Sequence, residues 1–320
     1  MNTSELITSI KRRETIPDSG VAFSDDVLLE YLDTALKSYI VPAVESVLEE
    51  HFVVTKDVQM PTITASGSLP TNVSNTITIP SESTGLRLRD VYMVTDDGSF
   101  RNLPRLTPSQ AASSGLRNAF LANNSSVAYS DVGFFLQGNV VQIFPYTLAS
   151  NRIIRLTFQR APADLCLVSE AAQVVSKVND TLTLSSVPAW YSGITRVGAI
   201  SNDSPNDFIR DATIPTVVYT SDAPLNNILL VSVAGNVITL PTGTAANIQV
   251  GDWICPRGKS VFAQNIPKEL LPTLTQKAGE FCLEAAGDRE GQQSANRTFE
   301  TMLRMALTQI APRVIGKPII

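Results

Sequence analysis

The side chains able to carry acid–base, nucleophilic or metal chemistry are few and scattered. The single histidine, His51, stands in Glu49-Glu50-His51-Phe52 at the end of a helical pattern. Any Ser-His-Asp or Cys-His machine, and any histidine-based metal site, would have to use it. Its setting predicts instead a solvated residue at a helix end. Gly258-Lys259-Ser260 matches the second half of a phosphate-binding loop, but Trp253 occupies the place of the first glycine. The run from Val261 to Pro267 offers no helix start, and phosphate cradling needs both the glycines and a helix N-terminus. The acidic pairs Asp25/Asp26, Glu49/Glu50 and Asp96/Asp97 lack the alternating spacing of a calcium loop. Cys166, Cys255 and Cys282 are odd in number and far apart, which fits neither a disulfide framework nor a zinc pattern. These residues predict no catalytic group, no cofactor and no metal site.

Composition narrows the field further. The 320 residues are 43 % hydrophobic and 17 % charged, enough to bury a sizeable core and too apolar for global disorder. A net charge of −5 gives no bulk attraction for nucleic acid, and Lys11-Arg12-Arg13 is the one basic cluster. A weakly acidic wall suits DNA that must slide past without sticking. The most apolar run, Ile228 to Val233, is far short of a membrane span. The start, Met1 to Glu14, has no apolar stretch to serve as a signal peptide. The expectation is a soluble, intracellularly made protein with no membrane partner, its thiols kept reduced.

The elements that would position any function form three zones. Residues 4–13 predict a short helix. Ser24 can then cap a helix opened by Asp25 and Asp26, and apolar residues from Leu28 to Leu48 recur at 3–4 spacing with Pro42 inside, where a kink is expected. From Phe52 to Leu167 the signals are those of an antiparallel β meander. Ile77 and Ile79 alternate with threonines, Asp97-Gly98 and Gly138-Asn139 mark hairpin turns, and Arg152 to Gln159 alternates again. Thr107 to Asn124 predicts a short helix and a loop.

Residues 168–259 read as a separate β module, a small barrel or sandwich, with a weak internal repeat. Asn179-Asp180-Thr181-Leu182-Thr183-Leu184 returns fifty-six positions later as Gly235-Asn236-Val237-Ile238-Thr239-Leu240, and Val197-Gly198 is matched by Val250-Gly251. After Pro267 two amphipathic helices follow. One carries Leu270, Leu271, Leu274, Ala278, Phe281, Cys282 and Ala285, the other Phe299, Met302, Leu303, Ala306, Leu307 and Ile310. The expected fold class is α+β. A discontinuous helical-bundle domain with the meander takes residues 1–167 and 260–320, and the β module is inserted at 168–259. Residues 312–320 form an extended tail that pairs Arg313 and Lys317 with aliphatic side chains, a composition suited to a partner's groove.

The order of elements resembles the head-to-tail adaptor (connector) proteins of short-tailed bacteriophages. The features that carry the likeness are the acidic helix Phe23-Ser24-Asp25-Asp26 to Ala35 after Ile16-Pro17, and Leu103-Pro104-Arg105-Leu106-Thr107-Pro108 before a polar stretch. They continue with Gly133-Phe134-Phe135-Leu136-Gln137-Gly138-Asn139 running to Phe144-Pro145, and Ile154-Arg155-Leu156-Thr157-Phe158-Gln159-Arg160-Ala161-Pro162. The likeness covers roughly residues 1–165 and 262–320, and the β module has no counterpart in the smaller adaptors. It implies a twelve-fold ring of identical subunits beneath the portal protein, at the head–tail junction of a virion assembled in the host cytoplasm. Such a ring extends the DNA channel and offers a platform to tail or nozzle proteins, while genomic DNA passes without sequence recognition. On this reading Arg313, Val314, Ile315, Lys317, Ile319 and Ile320 contact the portal. Glu30, Asp33, Glu45 and Glu49 face a neighbouring subunit or the channel lumen. Two other classes stay open: a peripheral tail or receptor-contact component using the β module, and a hydrolase of cell-wall polymer, which would need a cleft with close carboxylates.

Overall fold

The computed structural model describes residues 1–13, 23–60, 76–80, 83–95, 98–107, 133–144, 151–188, 195–203, 208–209, 225 and 227–311. The fold class is α+β. The chain divides into two compact units, one formed by Met1–His51, Pro162–Pro215 and Asp222–Ile320, the other built on Phe52–Ala161. The sequence reading joined the meander to the terminal helices and set 168–259 apart. The observed division instead places the 168–259 segment with the helices and leaves the meander as a unit of its own.

In the first unit the helices form as their residues dictate. α1 (Thr3–Arg13) buries Leu6, Ile7 and Ile10. The Ser24 hydroxyl accepts from the Val27 amide at the start of α2 (Asp25–Ala35), as its capping role requires. The bend expected at Pro42 is a π-turn over Leu36–Ile40, after which α3 (Val41–Val47) resumes with Pro42 in its first turn. Proline has no amide and crowds the carbonyl four residues back, and widening the preceding turn relieves both.

The last two helices are α4 (Leu271–Ala286) and α5 (Arg289–Ile310), with Asp288 capping α5 through the Gly291 amide. α1, α2 and α5 all pack on α4. That central place corrects the one-sided stripe expected of α4. Thr273 to Glu280 are buried all round the helix, whereas Ala285 is exposed. Conversely, the stripe of α5 is only partly covered: Phe299 and Ala306 are buried, but Met302, Leu303, Leu307 and Ile310 stay half-buried.

The β module of this unit is one seven-stranded antiparallel sheet curled into a barrel-like shape. Its strands are β9 (Ala172–Val178), β10 (Thr181–Leu184), β11 (Arg196–Ile200), β12 (Ile228–Leu229), β13 (Ser232–Ala234), β14 (Val237–Thr239) and β15 (Trp253–Pro256), in the order β12-β11-β15-β9-β10-β14-β13. The two outermost strands are halves of one bent segment. Leu230 donates to the Thr195 carbonyl and Val231 to the Thr239 carbonyl, so the segment joins both ends of the sheet.

The fifty-six-residue repeat is an approximate two-fold axis of this barrel. Exchanging each residue with its mate fifty-six positions away turns the pair Thr181–Thr239 into Thr183–Val237, and Gly198–Cys255 into Ala199–Ile254. The amide of Leu184 bonds to the carbonyl of Asn236, and that of Leu240 to the carbonyl of Asp180. Asn179 (φ 53°) and Gly235 (φ 60°) take the same left-handed corner of their hairpins. The Val-Gly part of the repeat is corrected. Val197-Gly198 corresponds to Trp253-Ile254 in β15, and Gly251 instead lies on a turn with φ 97°.

Two short parallel strands, β8 (Asp164–Leu165) and β16 (Lys259–Ser260), lie where chain enters and leaves the barrel. α1 attaches to them. The Thr3 amide donates to the Val261 carbonyl at 2.8 Å, and its hydroxyl to the Cys166 carbonyl at 2.8 Å.

The second unit has two antiparallel sheets. One has the order β1-β7-β3-β4, with β1 (Val53–Gln59), β3 (Ser83–Val94), β4 (Phe100–Asn102) and β7 (Ile153–Arg160). The other is β2-β6-β5, with β2 (Thr76–Thr78), β5 (Gly133–Gln137) and β6 (Val140–Phe144). Both contribute to one core that includes Ile77, Met93, Phe134, Ile143, Ile154 and Phe158. This is not a simple meander. β7, the most buried strand of this unit, lies between β1 and β3. At Gly133 a Cβ would lie 2.8 Å from the Pro104 carbonyl oxygen, so glycine lets the strand after Leu103 approach β5. Asp57 and Arg155 form a bidentate cross-strand pair at 2.7 Å. The turn at Asp96-Asp97 and the helix expected in 107–124, beyond Thr107, lie outside the described residues.

Leu182 and Ile238 face each other on the barrel's two-fold axis and are wholly buried. Ile238→Ala is expected to cost about 2–5 kcal/mol. Truncating Val175, exposed on the barrel exterior, is expected to change stability by less than about 0.5 kcal/mol. Urea unfolding monitored by circular dichroism measures both.

Candidate functional site

The acidic helix α2 meets the β8–β16 pair through one ammonium group. Asp33 on α2 and Lys37 in the π-turn that continues it lie four residues apart, which brings their side chains together. Lys37 Nζ lies 2.5 Å from Asp33 Oδ2 and 2.5 Å from Asp164 Oδ1, while the other oxygen of Asp33 accepts from the Leu165 amide at 3.1 Å. The carboxylates and backbone thus hold helix and strand in one arrangement. Partial burial opposes the charge on Lys37, but the hydrogen bonds to Asp164 and Asp33 outweigh it, and the ammonium is held above the usual lysine range.

Around this joint lies a groove of about 390 Å³. Asp26, Leu29 and Glu30 form its helical bank, and Glu170 and Lys259 face them from the strand side. Lys259 Nζ is 3.8 Å from Glu170 Oε1, and the other oxygen of Glu170 accepts from the Leu167 amide. The groove therefore offers unequal charge, with carboxylates outnumbering ammonium groups, around a small apolar floor of Leu29 and Leu165.

Of the acidic residues singled out from sequence, Glu30 and Asp33 come together here. Glu30 is exposed on the bank, whereas Asp33 is spent on the internal joint. Glu45 is carried away on α3, half-buried, with Oε1 enclosed and without a hydrogen-bond partner among the described residues. Glu49 opens a 3₁₀ turn over Glu49–Phe52, and its side chain lies outside the described residues. The tail residues Arg313, Val314, Ile315, Lys317, Ile319 and Ile320 also lie outside them. His51 is exposed in the 3₁₀ turn, as expected of a helix end.

Gly258 turns the chain between β15 and β16 with φ 70°, and Lys259-Ser260 continue as strand rather than helix. That fragment has the geometry of a turn between strands, not of a phosphate loop. The three cysteines are free and buried. A hydrogen bond donated by the Cys166 thiol to Cys255, then burial, pushes that thiol far above its ordinary range, so it stays protonated. Among the described residues no three His, Cys, Asp or Glu side chains converge in a way that could hold a metal ion. No described helix is long and apolar enough to cross a membrane.

Sequence reasoning missed one charged feature altogether. Lys277 of α4 is buried, with its Nζ 2.8 Å from Glu280 Oε2. The same ammonium lies 4.2 Å from the ring centroid of Tyr39, 5.0 Å from Phe299 and 5.3 Å from Phe281. Three helical segments thus close an aromatic cage on the protein's own lysine. Cation–π attraction grows to about 2 kcal/mol or more where water is excluded. The available signal was Lys277 and Glu280 at i,i+3 beside Phe281, in a helix whose neighbours were not yet known.

No protein-family model matches this chain, and no curated protein matches it in sequence.

Two outcomes test these joints. Lys37 stabilises the fold fully below the ordinary lysine value of about 10.4 and loses that contribution as pH rises through its higher folded value. Lys37→Met is therefore expected to lower Tm across neutral pH, with the gap to wild type closing only in strongly alkaline solution. Lys277→Met leaves Glu280 buried without its counter-charge and is expected to cost about 3–5 kcal/mol. Lys277→Met with Glu280→Gln should recover much of that loss in urea titrations.

Proposed function

We propose that this protein is a structural adaptor, the subunit of a ring that docks beneath the portal of a tailed phage. The ring extends the DNA channel and presents a platform to tail or nozzle proteins. One observation carries the reading: the two ends of the chain meet in a single helical body built on α4, and its last helix is left incompletely covered. α5 runs for 22 residues with Met302, Leu303, Leu307 and Ile310 half-buried and Met305 62 % exposed. An apolar stripe at this position is suited to burial in an assembly, and the residues that follow α5 are the aliphatic, basic tail from Arg313 to Ile320. The resemblance in order of elements to head-to-tail adaptors supports the same reading, in which the subunit acts by shape and contact.

A second reading, a peripheral binding component, draws on the barrel exterior. Val175 and Val231 occupy two-fold-related positions and are 55 % and 63 % exposed. This reading predicts a trimeric particle and a dispensable tail.

Co-sedimentation with portal-containing capsids separates the two. The full chain is expected to pellet with capsids, and a chain ending at Pro312 to remain in the supernatant. Equal binding by both would remove the tail from the interface. Binding by neither would exclude the adaptor role and favour the peripheral component.

A further inference from the structure

We infer that Arg12 on α1 and the carboxylates of Asp26 and Glu30 on α2 are the two halves of a head-to-tail contact between copies of this chain, an inference that rests on the ring proposed above. Three basic residues close α1, and two of them are used within the protomer. Lys11 Nζ lies 2.9 Å from Asp25 Oδ1, and Arg13 donates to the Pro272 carbonyl at 3.3 Å and to Gln276 Oε1 at 3.1 Å. Arg12, between them, is exposed and has no hydrogen bond or ion pair to any described residue. It borders a concavity of about 650 Å³ along the polar face of α1, beside Ser4, Glu5, Thr8 and Ser9. Two other polar groups there are already occupied: the Thr8 hydroxyl donates to the Ser4 carbonyl, and Glu5 accepts from the Asn2 amide.

The balance on α2 is the reverse. Asp25 is taken by Lys11, and Asp33 by Lys37 and the Leu165 amide. Asp26 and Glu30, one helical turn apart, are exposed and carry no ion pair to any described residue. Like charges at this spacing repel, and a guanidinium placed between them would relieve the repulsion and donate to both carboxylates through its fork of N–H groups. The two carboxylates line the bank of the α2 groove, with half-buried Leu29 between them.

A surplus cation in one concavity and surplus anions in another, on the same protomer and unpaired with each other, is complementarity between different surfaces. Such a contact repeats head to tail and closes into a ring when the rotation allows, whereas a two-fold dimer would set like against like. The occupant of the α2 groove is therefore the Arg12 end of α1 from a second copy.

The test uses the full chain. Arg12→Glu and Glu30→Arg are each expected to weaken self-association at least about tenfold in sedimentation velocity, alone and on portal-containing capsids. The chain carrying both changes restores opposite charges and should recover most of the loss, with unchanged Tm in all three. Chains bearing Arg12→Cys and Glu30→Cys, mixed and oxidised with diamide, should form a disulfide-linked pair that neither forms alone. The native cysteines are buried and silent in this assay. Rings of wild type that persist in Arg12→Glu, or that form without the mixed cross-link, overturn the contact and leave the ring standing. Sensitivity to Glu30→Arg without sensitivity to Arg12→Glu gives the groove to another basic partner and overturns it equally. Wild-type chains that stay monomeric both free and on capsids overturn the contact and the ring together.

Discussion

A two-residue strand cannot hold itself in place. β8 and β16 share only the pairs Asp164–Lys259 and Leu165–Ser260, yet the barrel springs from them and α1 is bonded beside them. What fixes this stem is the charge relay from Asp33 through Lys37 to Asp164, together with the Leu165 amide seated on Asp33. One ammonium group balances two carboxylates that would otherwise repel, and one of those carboxylates also satisfies a backbone donor. Removing any member leaves a partner uncompensated in a partly buried place, so the joint behaves as a unit rather than as three separate contacts.

The helical body depends on a related economy at its centre. α4 is buried on every side from Thr273 to Glu280, and it tolerates a lysine and a glutamate there because each answers the other and three rings answer the lysine. This arrangement ties the π-turn, through Tyr39, to α4 and α5 at one point. An all-aliphatic filling of that space would pack as well, but it would not specify which face of each helix turns inward.

Local features of the sequence were legible where local physics decides them. The Ser24 cap, the disturbance at Pro42, the Ile77/Ile79 alternation and the Gly138-Asn139 turn all follow from steric or hydrogen-bonding preferences that act within a few residues. The fifty-six-residue repeat was legible because strand alternation and hairpin corners survive in both copies, although the Val-Gly match misaligned its last part. Placement over long range was not legible. Nothing near β7 announces that it will lie between β1 and β3, and nothing near α4 announces neighbours on all sides. At the candidate site the acidic character of α2 was readable, but the split between spent Asp33 and unspent Glu30 depends on where Leu165 and Asp164 arrive from a distant part of the chain.

The threading of the first unit has a consequence for synthesis on the ribosome. α1 and α2 are made first, but their apolar faces are covered by α4, and Thr3 bonds to Cys166 and Val261. Between these partners the chain must emit the whole second unit and the whole barrel. α1 and α2 therefore wait for their covering partner until nearly all the chain has emerged. Nascent-chain folding of this protein is ordered from the middle outward, and its N-terminal segment is the part that most needs shielding by a holdase chaperone while it waits.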